Sequence, residues 1–143
     1  ADRRVFADGP YSIGLNETQL GIVAPWWFAE RLLSLVGERQ GEHMLQLGLL
    51  LSPSEALSAG LVDAIVKQDA LLQVVLDEVE SLVAIPAAAR YASKMLCRNK
   101  LLDRMTKEAR LADCRDTADF ICSPAVQANI QGYLSALKAR KRK

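Results

Sequence analysis

Glu17 is the side chain of this sequence whose surroundings best suit acid–base chemistry. It lies between Leu15 and Leu20, in a stretch of small and apolar residues that follows a short apolar strand and precedes a helix beginning at Pro25. A carboxylate at the edge of an apolar pocket can take a proton from a substrate and return it near neutral pH. A single acid in a loop is more often simply solvated, so residue type and spacing leave both interpretations open.

The run from Leu15 to Ile22 resembles the segment that carries the catalytic glutamate in the crotonase (enoyl-CoA hydratase/isomerase) superfamily. Together with Ala24, Pro25 and Trp27, it looks most like the mitochondrial Δ3,Δ2-enoyl-CoA isomerases. The resemblance continues in the family's order at Gly48, Leu49–Leu51, Glu55, Ala56, Gly60–Asp63, Val126, Gln127, Tyr133 and Leu134. It covers essentially all 143 residues, which match only the C-terminal half of the family's fold.

The resemblance implies a fold. We expect the C-terminal part of an α/β crotonase-like domain, with short N-terminal strands followed by a predominantly α-helical chain. One domain is expected over residues 1–143, in which residues 1 to about 23 end the β/α spiral core and residues from about 24 form a helical, oligomerising region. A homotrimer and a location in the mitochondrial matrix are implied in the same way.

The resemblance also implies a chemistry. In the family, two backbone N–H groups polarise a thioester carbonyl, and a single carboxylate moves a proton from C2 to C4 so that the double bond shifts from C3 to C2. By position in the motif, Glu17 is implied to be this base, and Leu15, Asn16 and Trp27 are implied to contact the acyl-CoA substrate. No cofactor is implied beyond the CoA thioester. The family's oxyanion-hole donors and the second glutamate of the hydratases belong upstream of Arg3–Ala7, so a hydratase or a non-catalytic oligomerisation module stays open as an alternative.

The candidate side chains also have plain structural interpretations. Asn16 is a frequent turn-former before a helix, and Trp27 can pack with Trp26 and Phe28 in a core or between subunits. The only histidine, His43, has no second ligand or nucleophile near it in the sequence, and it is predicted to lie at the surface.

Charge gives little indication of a macromolecular partner. The net charge is +1, so neither nucleic acid nor an acidic membrane is predicted as a partner. Arg90, Lys94 and Arg98 recur every four residues on one predicted helical face, where a solvated stripe is a simpler interpretation than a site for CoA phosphates. The basic tail Lys138–Lys143 has no interleaved aromatic residues on which bases would stack.

Composition favours a folded domain. Half of the residues are hydrophobic and 24% are charged, which is not typical of a disordered segment. No apolar run approaches the roughly 20 residues needed to cross a bilayer, so no stable membrane insertion is predicted. The three cysteines form no CxxC motif, as expected of reduced thiols in an intracellular compartment. The first residues show no targeting signal, so any such segment is expected outside this chain.

Turn and cap signals predict the elements that position Glu17. Strands are expected at Val5–Ala7 and Tyr11–Ile13, on either side of an Asp-Gly-Pro turn. Four helices are predicted over Pro25–Val36, Glu38–Gly48, Ser52–Gly60 and Asp69–Val83, the third of which begins with a capping box. Three more helices are predicted: one that begins at Pro86, one over Leu101–Phe120 and one that begins at Ser123. A further strand is predicted at Leu61–Val66. The apolar faces of the late helices exceed what half a domain can bury, so they either pack on each other or form subunit contacts.

Overall fold

Short strands followed by helices make up the chain, as predicted. The computed structural model describes residues 1–140, and of Arg140 it describes the backbone alone. The strands within these residues are β1 Val5–Ala7, β2 Ile13–Gly14, β3 Leu50–Leu51 and β4 Ala64–Val66. The α-helices are α1 Trp26–Val36, α2 Glu38–Leu47, α3 Pro53–Ser58, α4 Leu71–Val83, α5 Ala87–Arg104, α6 Lys107–Cys122 and α7 Pro124–Arg140, and 3-10 turns occupy Glu17–Leu20 and Gln68–Ala70. The predicted basic tail lies outside the described residues from position 141 onward.

Internal contacts group the chain into two compact units. The first contains Ala1–Ile13 and Leu51–Thr106, and the second contains Gly14–Leu50 and the chain from Lys107 onward. The chain passes from one unit to the other within β2, within β3 and between Thr106 and Lys107. The predicted division near residue 23, between the end of a spiral core and a helical region, stays a prediction.

The first unit is built on a parallel pair of strands. β1 lies beside β4 in the register Val5 to Ala64, Phe6 to Ile65 and Ala7 to Val66. Helix α4 packs against β1, and Pro53, Ala56, Leu61 and Val62 are buried in this unit. Strand β1 therefore receives its partner from a segment more than fifty residues further along the chain.

Helix α3 begins at the predicted capping box. The Ser52 hydroxyl accepts a hydrogen bond from the Glu55 backbone N–H at 3.4 Å, and the Glu55 carboxylate accepts one from the Ser52 N–H at 2.8 Å. The hydrogen bond from the Ser52 hydroxyl lowers the pKa of Glu55. Two N–H groups that a helix start leaves unpaired are thus satisfied by side chains.

The strand predicted over Leu61–Val66 is shorter than expected. Leu61 N–H donates to the Ala56 carbonyl at 2.9 Å, Gly60 N–H donates to Leu57 at 3.0 Å, and Gly60 has a φ of 75°. This is the Schellman pattern that closes a helix, so Leu61 completes α3 and pairing begins only at Ala64.

Three other predicted boundaries were wrong. Tyr11 belongs to a turn, since its N–H donates to the Gly9 carbonyl at 2.8 Å, and only Ile13 and Gly14 form the second strand. Asp69 lies inside a 3-10 turn, and Ala70 occupies the start of α4 with no capping side chain among the described groups. The helix predicted from Leu101 begins instead at Lys107, because α5 continues to Arg104 and non-helical Met105 separates the two helices.

Helix α4 carries an exposed apolar face. Leu72 is 71% exposed and Val83 is 65% exposed, and Val75, Leu76 and Val79 between them are also exposed. Their spacing in the sequence is that of one apolar face of a helix. Packing of the late helices on each other and burial between subunits both stay predictions for these positions.

The second unit is a group of helices around a small core. Helices α1 and α2 form a tight pair, because a Cβ added at Gly41 would lie 2.7 Å from the Leu33 side chain. Leu32, Met44 and Val126 are buried, and α6 packs against α7. Helix α1 begins at Trp26, one residue later than predicted, and Gly37 ends it as predicted. This unit contains the whole Leu15–Trp27 stretch.

Candidate functional site

The backbone at Gly14, just before the candidate residues, packs closely against the backbone of Leu49 and Leu50. A Cβ at Gly14 would overlap the carbonyl oxygen of Leu49 and lie 3.2 Å from Leu50 Cα. Only glycine fits at this contact without a shift of the backbone. The close approach fixes the position from which Leu15 and Asn16 continue into the turn.

Glu17 is the first residue of a closed 3-10 turn. Ile22 N–H donates to the Glu17 carbonyl at 3.1 Å, and Gly21 N–H donates to Thr18 at 3.0 Å. Gly21 has a φ of 77°, so both hydrogen bonds belong to a Schellman closure that a residue with a side chain adopts only under strain. The main chain on the C-terminal side of Glu17 is therefore fixed.

The Glu17 carboxylate contains an unpaired buried oxygen. Oε2 is inaccessible to solvent and has no hydrogen-bond partner within residues 1–140, although the residue as a whole is only half-buried. Leaving a buried acceptor unpaired costs free energy, and such groups call for a functional or structural explanation. An unpaired carboxylate oxygen keeps its lone pairs free to accept a hydrogen bond or a proton.

The two residues after Glu17 attach the turn to the end of α2. The Thr18 hydroxyl donates to the Leu45 carbonyl at 2.6 Å. The Gln19 amide Nε2 donates to Leu47 at 3.2 Å and to Gly48 at 2.9 Å. Sequence reasoning missed both residues; a hydroxyl and an amide directly after the acid were the available signal, but their partners lie almost thirty residues away.

The predicted substrate-contacting residues lie on the same unit. Leu15 and Asn16 are half-buried and lead directly into the turn. Asn16 precedes the turn with a φ of −102°, and within the described chain its side chain makes no capping hydrogen bond. Trp27 is half-buried in the first turn of α1, where its ring meets that of Phe28 edge-on at a centroid distance of 4.0 Å. The roles of all three in substrate binding stay predictions.

Other chemically capable groups lie apart from the turn. An open depression at the junction of α1 and α2 is lined by Gly37, Glu38, Arg39, Glu42 and His43, and it includes none of the candidate residues. His43 is exposed, as predicted. Among the residues that the structure describes, no cluster of His, Cys, Asp or Glu could hold a metal ion.

The basic face of α5 is partly paired within the first unit. Asp2 accepts hydrogen bonds from Lys94 Nζ at 3.0 Å and from Arg98 Nη2 at 3.2 Å. The hydrogen bond from Lys94 lowers the pKa of Asp2. The sequence favoured a solvated basic stripe, but Lys94 and Arg98 are paired with Asp2.

Across residues 1–140, none of the helices combines the length and apolar character needed to span a membrane.

Comparison with known proteins identifies the family. Residues 1–141 match the family model described as Enoyl-CoA hydratase/isomerase. Enoyl-CoA delta isomerase 1, mitochondrial, of Homo sapiens is 41% identical over 141 residues, covering 98% of this chain and 46% of that protein. The protein of the same description from Rattus norvegicus is 38% identical, covering 98% of this chain and 48% of that protein. The chain thus spans about half the length of these relatives.

Solved structures agree with this comparison. The crystal structure of human mitochondrial delta3-delta2-enoyl-CoA isomerase superposes with a TM-score of 0.91 at 41% identity, covering 99% of this chain and 55% of that one. An enoyl-CoA hydratase/isomerase from Pseudoalteromonas atlantica superposes with a TM-score of 0.79 at 20% identity, which supports the fold alone. The short strands and the helices after them are the C-terminal part of the crotonase fold, and the chain belongs to the enoyl-CoA hydratase/isomerase family.

Proposed function

We propose that this chain supplies the base of a Δ3,Δ2-enoyl-CoA isomerase, and that Glu17 is that base. The observation that carries the proposal is the buried, unpaired Oε2 of Glu17 on a turn with a fixed backbone. The proposal is also supported by a relative described as an enoyl-CoA delta isomerase, which is 41% identical over 98% of this chain.

In the proposed reaction, Glu17 removes a proton from C2 of a 3-enoyl-CoA. The electron pair of that C–H bond moves into a dienolate, whose negative charge lies largely on the thioester oxygen. The protonated carboxyl then delivers its proton to C4, and the double bond forms between C2 and C3. Atoms and charge balance with one carboxylate and no cofactor, whereas the hydratases need a second acid to manage water. The proposal also requires hydrogen-bond donors that stabilise the negative charge on the thioester oxygen, and it assigns no residue of this chain to them.

Leu15, Asn16 and Trp27 are proposed to contact the acyl-CoA substrate. Leu15 and Asn16 adjoin the base in sequence, and Trp27 presents a half-buried aromatic ring in the same unit. An aromatic ring offers apolar area to an acyl chain at a low cost in conformational entropy.

The cellular setting is proposed from the relatives. Their descriptions are mitochondrial, so we place this activity in the mitochondrial matrix and in the β-oxidation of unsaturated fatty acids. A homotrimer is proposed with it, and the exposed apolar face of α4 is consistent with burial in a larger assembly.

A two-substrate assay tests the proposal. The chain, and any longer natural polypeptide that contains it, is incubated separately with a 3-enoyl-CoA and a 2-enoyl-CoA. Conversion of the first to the 2-enoyl product, with slow hydration of the second, is the expected result. Fast hydration would favour the hydratase alternative. Turnover of neither by folded protein would favour a non-catalytic module.

A further inference from the structure

We infer that Thr18 and Gln19 are positioning residues, which hold the Glu17 carboxylate in place by hydrogen-bonding the C-terminal end of α2. This inference deepens the proposed function and rests on it. Neither residue is proposed to touch the substrate.

The end of α2 offers acceptors that the helix itself does not use. The last four carbonyls of an α-helix have no partner within the helix. At α2, Leu49 N–H donates to the Met44 carbonyl at 3.0 Å and Gly48 N–H donates to Leu45 at 3.3 Å, which is a Schellman closure. The carbonyls of Leu47 and Gly48, and the second lone pair of Leu45, remain available.

Thr18 and Gln19 fill these positions. The Thr18 hydroxyl donates to the Leu45 carbonyl at 2.6 Å, and Gln19 Nε2 donates to the carbonyls of Leu47 and Gly48. Three hydrogen bonds from two consecutive side chains therefore reach the carbonyls of residues 45, 47 and 48 at one helix end. A single chance contact would not match the donors to the acceptors in both number and direction.

The backbone packs as closely as the side chains. A Cβ added at Gly48 would lie 3.2 Å from Asn16 Cα and 2.8 Å from Gln19 Cγ. Asn16, directly before Glu17, and Gln19, two residues after it, therefore lie against the same helix end. Among the described residues no hydrogen bond to Oε2 holds the Glu17 carboxylate, so the backbone that carries it contributes to its position.

A positioning role predicts a particular kinetic effect. A base displaced by about 1 Å can lose about 100-fold in rate, while the substrate still binds. Thr18→Val keeps the shape of the side chain and removes the hydroxyl, and Gln19→Met keeps its length and removes both N–H groups. We expect each to lower kcat by about tenfold or more with KM within about twofold, whereas Thr18→Ser, which keeps the donor, retains most of the wild-type kcat.

The experiment measures kcat and KM for isomerisation in the longest natural polypeptide that contains this chain. Ser135→Ala is the matched control, because it removes a hydroxyl that donates to the Gln131 carbonyl at 2.8 Å on α7 in the same unit. Hydrogen exchange at the Ile22 amide, which closes the turn, is expected to speed up in Thr18→Val but not in Ser135→Ala.

Several results would overturn the inference. Wild-type kcat in both Thr18→Val and Gln19→Met would do so, as would a rise in KM alone or equal losses in Thr18→Ser and Thr18→Val. Failure of both variants to fold would assign these contacts to stability instead. A wild-type protein without isomerase activity, or a Glu17→Gln variant as active as wild type, would remove the proposed function itself, and these results are distinguishable from the others.

Discussion

Asp63 accepts three hydrogen bonds from Arg4 at the start of the β1–β4 ladder. The Arg4 backbone N–H donates to Oδ2 at 2.7 Å, and the guanidinium donates through Nε to Oδ2 at 3.0 Å and through Nη2 to Oδ1 at 2.7 Å. Both side chains are mostly buried, with 27% of Arg4 and 20% of Asp63 exposed. A bidentate arginine–carboxylate pair is stronger than a neutral hydrogen bond and defines a single geometry, so it fixes the register of the two strands.

Asp63→Asn should destabilise the chain. The amide keeps the size of the side chain but loses the charge, and hydrogen bonds to charged groups contribute about 1.5–3 kcal/mol to the free energy of unfolding. Chemical denaturation would measure this loss. Glu78→Gln is the control, because it weakens the more exposed Arg3–Glu78 pair, in which 43% of the Arg3 side chain is exposed, and its effect should be smaller. Equal effects of the two changes would contradict this account.

The same ion pair predicts a dependence on pH. The Arg4 guanidinium lowers the pKa of Asp63 in the folded chain below the ordinary value of about 3.9. A lowered folded pKa means that the pair stabilises the fold fully above about pH 5 and loses this contribution as pH falls through the folded pKa. The difference in unfolding free energy between wild type and Asp63→Asn should therefore shrink below about pH 4. A difference that is constant from neutral to acid pH would be inconsistent with the pairing.

Gly21→Ala should destabilise the turn that carries Glu17. Gly21 has a φ of 77°, and a Cβ there would lie 2.7 Å from Asn129 Cβ on α7. Both strain and overlap oppose the change, so we expect a loss of about 1–3 kcal/mol in unfolding free energy. Gly132→Ala is the matched control on α7, where an added Cβ meets no described atom within 4 Å. That change should stabilise the helix by about 0.5–1 kcal/mol, and opposite signs for the two variants are the result to look for in thermal unfolding.

Trp27→Ala should alter either the preference for acyl chain length or the stability of the oligomer. The first result would place the ring beside the acyl chain, and the second would place it between subunits. Substrate profiles and sedimentation velocity separate the two, and Trp27→Phe, which keeps an aromatic ring against Phe28, should show a smaller effect. Wild-type behaviour of Trp27→Ala in both measurements would exclude both roles.

Local signals in the sequence were sufficient for several elements. Proline at the start and glycine at the end predicted α1, and the Ser-Pro-Ser-Glu capping box predicted α3, because these signals act within a few residues. The boundary between α5 and α6 was misplaced because Met105 is neither glycine nor proline, and only its backbone conformation breaks the helix. The two strands predicted over Tyr11–Ile13 and Leu61–Val66 start later than expected, because the N–H groups of Tyr11 and Leu61 are hydrogen-bonded in a turn and in a Schellman closure.

The candidate site was predictable only in part. The resemblance of the Leu15–Trp27 stretch predicted the family, which was confirmed, whereas the roles of Glu17 and its neighbours stay predictions. The attachment of Thr18 and Gln19 to the end of α2 could not be predicted, since it depends on which carbonyls a distant helix leaves unpaired. Pairing of Asp2 with the basic face of α5 was missed for the same reason, because about ninety residues separate the partners.

Isomerisation of a 3-enoyl-CoA by Glu17→Gln tests the central claim most directly. Its control is Glu38→Gln, which neutralises an exposed carboxylate at the start of α2, outside the candidate stretch. Loss of a positioned general base costs about 10²–10⁴ in rate, so the rate constant should fall by that factor in Glu17→Gln and stay at the wild-type value in Glu38→Gln. A Glu17→Gln variant that is folded and isomerises substrate at the wild-type rate would contradict the account.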